Sequence, residues 1–408
     1  MNPFPLVRVL LLRNRWLTFA FIVLASLAVA VGLAITTQER ALRQSTANAA
    51  EPFDIIIAAP GSQTEILLNA VFLQSGTLEL LAPEVTAQVL AHQGVAFAAP
   101  MGFGDNWQGY PVIGTTGDLV KRVARGEAIN GQIFAAHEEA VVGSDVPLEL
   151  GATFAAAHGH AEEGPKGLAI VDDTAHEHGT EFKIVGKLQP TGTPWDKAII
   201  IPIETMWEQH YLPTGHPEGS EQIGAPFDPA FLPGVPLVVV QPKTLAEAYG
   251  LRSQFRSNQS TSFFPAETLV SLFPYLSEIR ALMSVMATAT QALVFACVLL
   301  ALLILFGVHR PLFATLRALG APRRFILVIV WLTASVIVVL GCLAGLVLGQ
   351  ALSFLISRSI SAQTGLNLSP LFGWPEILTT LALMGLATCL ALIPALLLYR
   401  IPASHAIR

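Results

Sequence analysis

Charge is scarce in this chain. Only 13% of its 408 residues are Asp, Glu, Lys or Arg, against about 25% in an ordinary soluble domain. Mean hydropathy is +0.58. That deficit excludes a single soluble globule, and long apolar runs stand in its place. Cysteine is also scarce. Cys297, Cys342 and Cys389 all lie in the apolar last third, so the polar segment before it has no disulfide framework. Each of the three reads as a small buried apolar side chain. Catalytic signatures are missing too. There is no Gly-x-x-x-x-Gly-Lys-Ser/Thr phosphate loop, no Gly-x-Ser-x-Gly elbow and no His-Glu-x-x-His helix. "AHEEAVVG" at 136–143 lacks the second histidine. Nothing here supports an enzyme.

Four apolar runs, 16–36, 282–307, 325–356 and 376–399, are each long enough to cross a bilayer core, which takes about 20 helical residues. Backbone polar groups in such runs must pair within the helix. The expected fold class is therefore an α-helical membrane protein with four transmembrane helices. A mixed α/β domain, 37–280, is inserted between the first and second and has room for one or two lobes. An N-terminal helix, 1–15, mixes Leu and Val with Arg and suits the membrane surface. Short connections at 308–324 and 357–375 and a tail at 400–408 complete the layout.

Charge orients it. Outside 37–280 there are ten Lys or Arg and one acid, Glu376. Inside there are 13 bases and 28 acids. Short Lys/Arg-rich loops stay cytoplasmic. Both termini and 308–324 are expected inside, and the acidic domain outside, in the periplasm of a bacterial inner membrane. An acidic domain argues against nucleic acid as a partner. "ANA" at 47–49 invites a signal-peptide reading. The first run is longer than the usual h-region and the cut would fall well past its end, so an uncleaved helix is expected.

Within the domain, "FDIIIAAPG" reads as a strand, and Ser62 as the cap of a helix over 63–73. "GVAFAAPMG", "YPVIGTT", "EFKIVGKLQP", "KAIIIPI" and "VPLVVVQP" read as further strands. "IETMWEQH", "TLAEAYGLRSQFRS" and 266–282 read as helices, and 212–235 as an irregular Pro/Gly-rich linker.

Two His-x-His pairs stand out: His158 and His160, followed by Glu162 and Glu163, and His176 and His178 around Glu177. Imidazole and carboxylate suit zinc, and alternate residues of extended chain share a side. The pairs read either as a zinc site or as a solvated loop. His92, His137, His210 and His216 are scattered and read as surface residues.

The richest stretch is "HRPLFATLRALGAPRRF", 309–325. Pro311 fits a first helical turn, Gly320 a C-terminal cap, and Pro322 a stop. Leu312, Phe313, Leu316 and Leu319 share a face. Arg317, Arg323 and Arg324 lie opposite or at the end. This spells a capped amphipathic helix, resting on headgroups or docked in a partner's groove. In the next run Gly341, Gly345 and Gly349 have the small-xxx-small spacing that lets helices approach closely. Pro394 is expected to bend the last run.

"LRALGAPRR", then "GCLAGLVLGQ", then "ALIPALLLYRIPASHAIR" together resemble the permease domain of FtsX-like and MacB-like ABC transporters. The resemblance covers about 280–408 and the order of the whole chain. It implies that the 308–324 loop couples to a separate cytoplasmic ABC ATPase, through Leu312, Phe313, Leu316, Arg317, Leu319, Gly320, Arg323 and Arg324. It implies a dimer with a second copy or a similar permease, and the glycine stripe would pack helices within or between subunits. No cofactor is expected on the chain itself beyond the zinc reading; ATP enters through the partner. The role implied is transmission of ATPase motion to the periplasmic domain, for export or metal handling. The alternative is a non-transporting transmitter that activates a periplasmic protein partner. At Leu312 and near Thr333, where such permeases often carry acids, this chain has none.

Overall fold

A computed structural model describes residues 2–74, 76–158 and 177–399. In chain order, α1 (Phe4–Arg13) and α2 (Arg15–Ala50) are followed by β1 (Ile55–Ala58), α3 (Gln63–Phe72), α4 (Pro83–Leu90), β2 (Val95–Trp107), β3 (Tyr110–Thr115) and α5 (Gly117–Val123). Then come β4 (Asn130–Gly131), β5 (Glu139–Val142), β6 (Thr153–His158), β7 (Glu177–Lys187), β8 (Ile199–Pro202) and α6 (Ile203–Gln209). After β9 (Leu237–Pro242), α7 (Leu245–Gln254) and β10 (Thr261–Phe263), the rest is helical: α8 (Pro265–Val308), α9 (Arg310–Ala318), α10 (Arg323–Thr364), α11 (Trp374–Leu390) and α12 (Leu392–Tyr399). The chain divides into two compact units. One lies within Met1–Arg43, Tyr275–Ser359 and Leu368–Arg408, the other within Gln44–Pro274 and Ile360–Asn367.

The second unit is the expected mixed α/β domain. Its strands form one sheet of ten, among the described residues, in the order β10-β1-β9-β2-β3-β8-β5-β7-β4, with β6 beside β2 and β7. Most neighbours are antiparallel; β3–β8 and β5–β7 are parallel. The central strands are near-continuous Val/Ile runs, as burial of both faces requires. Ile55, Ile57, Val238 and Val240 pack with Val89, Trp207 and Leu251. Val112, Val142, Phe182, Ile184 and Ile199 build a second cluster. Ser62 caps α3 as its position suggests, accepting the Glu65 N–H at 3.4 Å.

The C-terminal end of α2 is clamped inside this unit. Arg122 of α5 donates to the Pro52 carbonyl at 2.9 Å and pairs with Asp54 at 2.7 Å. Burial pushes the Asp54 carboxyl up, against the pull of Arg122. Arg125 donates to the Asn48 carbonyl and pairs with Glu51 at 2.8 Å. Cationic donors at a helix C-terminus satisfy orphan carbonyls and complement the dipole. Ser45 also donates to Asn367 O at 2.8 Å, and Asn367 N–H bonds Gly192 O at 3.1 Å.

The other unit is helical. α2 and a 39-residue stretch of α10, Arg323–Ser361, are long and apolar enough to cross a membrane, with mean hydropathy 2.5 and 2.8. Two shorter apolar stretches, Thr288–Leu300 and Trp374–Leu390, fall where the second and fourth runs were expected. The last run is divided at Ala391 between α11 and α12. Pro394 has no N–H to give Leu390, which accounts for the interruption.

α2 and α10 meet through the glycine stripe. A Cβ on Gly341 would stand 2.6 Å from Ala25 Cβ, and one on Gly345 2.7 Å from Val29 Cβ and 2.9 Å from Ser26 O. One on Gly349 would stand 3.3 Å from the Ala30 backbone. The stripe therefore packs helices within one chain. Polar contacts extend the seam: Gln38 Nε2 donates to Ser353 O at 2.6 Å and to Ser357 Oγ at 3.0 Å. Arg40 pairs with Glu376 at 3.3 Å and donates to Leu371 O. Glu376, 4% exposed, also accepts the Gly373 N–H at 2.8 Å and so caps α11. The one acid of the apolar region thus sits at a helix N-terminus beside an arginine, where its charge is favourable.

Gly345→Leu is expected to lower stability by about 1–3 kcal/mol, the usual cost of overpacking. Gly385→Ala, where an added Cβ meets nothing within 4 Å, should leave it unchanged. Thermal unfolding of the purified chain in detergent checks both; equal melting temperatures would remove the seam from the account.

Candidate functional site

The candidate site is α9 and its flanks. Pro311 lies in the first turn of α9, where its missing N–H costs little. At the other end Gly320 takes φ +93°, which glycine reaches without a Cβ penalty. Gly320 N–H bonds Arg317 O at 3.0 Å and Ala321 N–H bonds Leu316 O at 3.0 Å. This pair of bonds is the Schellman cap, and buried Ala321 against Leu316 is its usual apolar companion. Pro322 follows, and α10 begins at Arg323. The sequence wrote this helix correctly at both ends.

Its apolar face is already covered within the helical unit. Phe313 is 7% exposed, in one cluster with Val7 and Leu10 of α1, Phe21 of α2 and Phe325 and Ile329 of α10; Leu312 and Leu316 pack against that cluster. Asn14, which ends α1, lies 3.4 Å from His309 Nε2, which begins α9. So α1 and α9 share one core. Leu319 departs from the expected face: it is 80% exposed. The physical reason is its place. It is the C-cap, at φ −79° and ψ 9°, where the chain leaves the helix. Thr315, Ala318, Leu319, Gly320, Arg323 and Arg324 are exposed, and Arg317 is half-buried. The surface a partner meets is therefore the Leu319–Gly320 tip with Arg323 and Arg324 beside it. Phe313, Leu312 and Leu316 hold the helix in position from behind.

The histidine calls divide. His158 ends β6, in register with Asp105 of β2, and His178 is the second residue of β7. β6 and β7 pair antiparallel with Ala157 opposite Glu177, so His158 and His178 each stand one residue from the same backbone pair. His160 and His176 lie outside the described residues. Among the described residues, no three His, Cys, Asp or Glu side chains group as metal ligands.

The reading of His216 as a surface residue needs correction; His92, His137 and His210 are half-buried at the surface, each beside a partner. His216 is 4% exposed, beside fully buried Glu204. His210 is 3.9 Å from buried Asp105. His92 Nε2 lies 3.2 Å from Gln254 Oε1, and His137 lies 3.3 Å from Thr205 Oγ1. Scatter along the sequence concealed this, because the groups that receive these rings lie 12 to 162 residues away. One signal was available: Glu204 follows the apolar run Ile199–Ile203 directly, where a carboxylate has little access to water.

Two long apolar helices joined at a glycine seam, with a capped amphipathic helix ahead of the second, are the arrangement of a membrane protein. The comparison with known families agrees: residues 284–403 match the FtsX-like permease C-terminal domain. The matched stretch takes in most of α8 and all of α9, α10, α11 and α12. No curated protein matches the chain.

Phe313→Ala is expected to destabilise the purified chain by about 3 kcal/mol, the scale of a large-to-small core change. Leu319→Asp should leave its melting temperature within a degree or so, as surface changes do. The reverse ranking would put the wrong face of α9 inside.

Proposed function

We propose that the chain is the membrane subunit of a MacB-like ABC complex, with α9 as the helix that receives the motion of a cytoplasmic ATPase. The observation that carries this reading is the exposed Leu319–Gly320 tip on a helix whose other face is fixed in the core, within a stretch matched to FtsX-like permeases. A rigid, capped lever with a small apolar tip and a basic rim suits a docking groove of opposite charge. The chain has no phosphate loop, so hydrolysis belongs to the partner. Four spans place both termini and α9 in the cytoplasm and the α/β domain in the periplasm of the inner membrane. Two permease copies, identical or similar, act with two ATPase subunits. ATP-driven closure moves α9 and α10, and the seam passes that motion to α2. The output is work on the periplasmic domain, by export of a substrate or by activation of a periplasmic protein partner; neither needs a charged path between the helices.

A second reading concerns zinc. It rests on the β6–β7 register, which brings His158 and His178 to one end of one pair of strands. His158, His160, His176 and His178 would then supply a site at the domain's edge, and the complex would handle metal.

Leu319→Asp combined with Arg323→Glu should abolish co-purification of the ATPase from membranes while the chain keeps its melting temperature. Undiminished co-purification would remove α9 from the coupling role. For the zinc reading, calorimetric titration of the full chain should show binding in the micromolar range or tighter that disappears when the four histidines become alanine. No binding, or equal binding in both, leaves that segment a solvated loop.

A further inference from the structure

α6 begins directly after β8, and Glu204 is its second residue. It is 0% exposed, a carboxyl inside an apolar surround. Its Oε1 accepts the N–H of Gly224 at 2.6 Å. Gly224 belongs to the irregular segment 212–235. The same segment supplies His216, 4% exposed, whose Nε2 lies 3.6 Å from that Oε1. The His216 ring stacks on Phe227, centroids 5.3 Å apart, and Phe227 meets Trp207 of α6 edge-on at 5.8 Å. One carboxyl and one aromatic stack thus fasten the segment to α6. Two buried atoms at the joint, Glu204 Oε2 and His216 Nε2, have no hydrogen-bond partner among the described residues.

A buried carboxylate with one hydrogen bond and no cation in contact is costly, whereas the neutral acid is tolerated. Burial accordingly pushes Glu204 from 4.5 up to about 7, against its own backbone and the Gly224 N–H. Burial also pushes His216 down, as does His137, with Asp228 and the Gly224 backbone opposing. The neighbouring titratable groups are few. His137 is held by Thr205 of α6, and Asp228 caps the short turn Pro229–Phe231. At the far end of α6, His210 faces Asp105.

We propose that Glu204 and His216 form a proton-held latch: the protonated carboxyl keeps residues 212–235 seated on α6, and its ionisation releases that segment. This does not rest on the ATPase reading. The sign follows from linkage. The seated form holds its carboxyl proton to higher pH than the released form, so it binds more protons between 4.5 and about 7. Seating therefore weakens as pH rises through that window, by up to about tenfold per pH unit, and levels off above it. His216 acts oppositely: its lowered value disfavours seating as pH falls below 6.5, which offsets part of the effect at the acid end.

Hydrogen–deuterium exchange of the full chain in detergent, from pH 5 to pH 8 and corrected for intrinsic rates, reads the release as local opening. Peptides spanning 212–235 should lose about tenfold or more in protection across that range, while β9 and α10 keep theirs. In Glu204→Gln the profile should be flat. Unchanged protection of 212–235 in the wild type, an equal loss throughout the domain, or the same pH dependence in Glu204→Gln overturns the latch. Should Glu204→Gln not fold, the wild-type profile decides alone: loss confined to 212–235 supports the latch.

Discussion

The helical unit depends on the close approach of α2 and α10 at Gly341, Gly345 and Gly349. Apolar helices in lipid gain nothing by hiding apolar surface from one another. They associate by packing, and packing needs backbones near enough to touch. Three absent side chains make that approach, and Ala25, Val29 and Ala30 fill it. The polar contacts of Gln38 with Ser353 and Ser357, and of Arg40 with Glu376, continue it in register. A seam without bulky flexible side chains has little slack, which is what a pair of helices needs to move as one body.

The placement of α9 follows from the same economy. An amphipathic helix beside a membrane must cover its apolar face. Here α1 and the first turns of α10 cover it, and neither lipid nor a partner is required. That leaves a blunt exposed end built by a Schellman turn, with basic residues on the next helix. A helix anchored on one side and free at one end transmits a push; a helix lying loosely on headgroups would absorb it. Arg122 and Arg125 provide a comparable fastening at the end of α2, inside the α/β unit.

Much of this was legible in the sequence, because its signals are local. Ser62, Pro311, Gly320 and Pro394 each mark a helix end or break through their own backbone chemistry, and the structure places each where expected. The strands read true because buried Val/Ile runs between turns have few alternatives. What was not legible depended on distant partners. Leu319 matched the apolar stripe by spacing, but the cap turned it outward. His216 read as a surface residue until a carboxyl 12 positions earlier and a phenylalanine 11 positions later enclosed it. The glycine spacing declared close packing, but not that the facing helix was α2 of the same chain.

If α9 receives the motion of an ATPase, its Leu319–Gly320 tip must touch that partner. A photo-crosslinking amino acid placed at Leu319 in the membrane-embedded chain, with a second placed at Phe313, tests it most directly. The account predicts that the probe at 319 captures a protein that mass spectrometry identifies as an ABC ATPase, and that the probe at 313 crosslinks only within the chain. Capture of that ATPase from 313 and not from 319, or from neither, would contradict it.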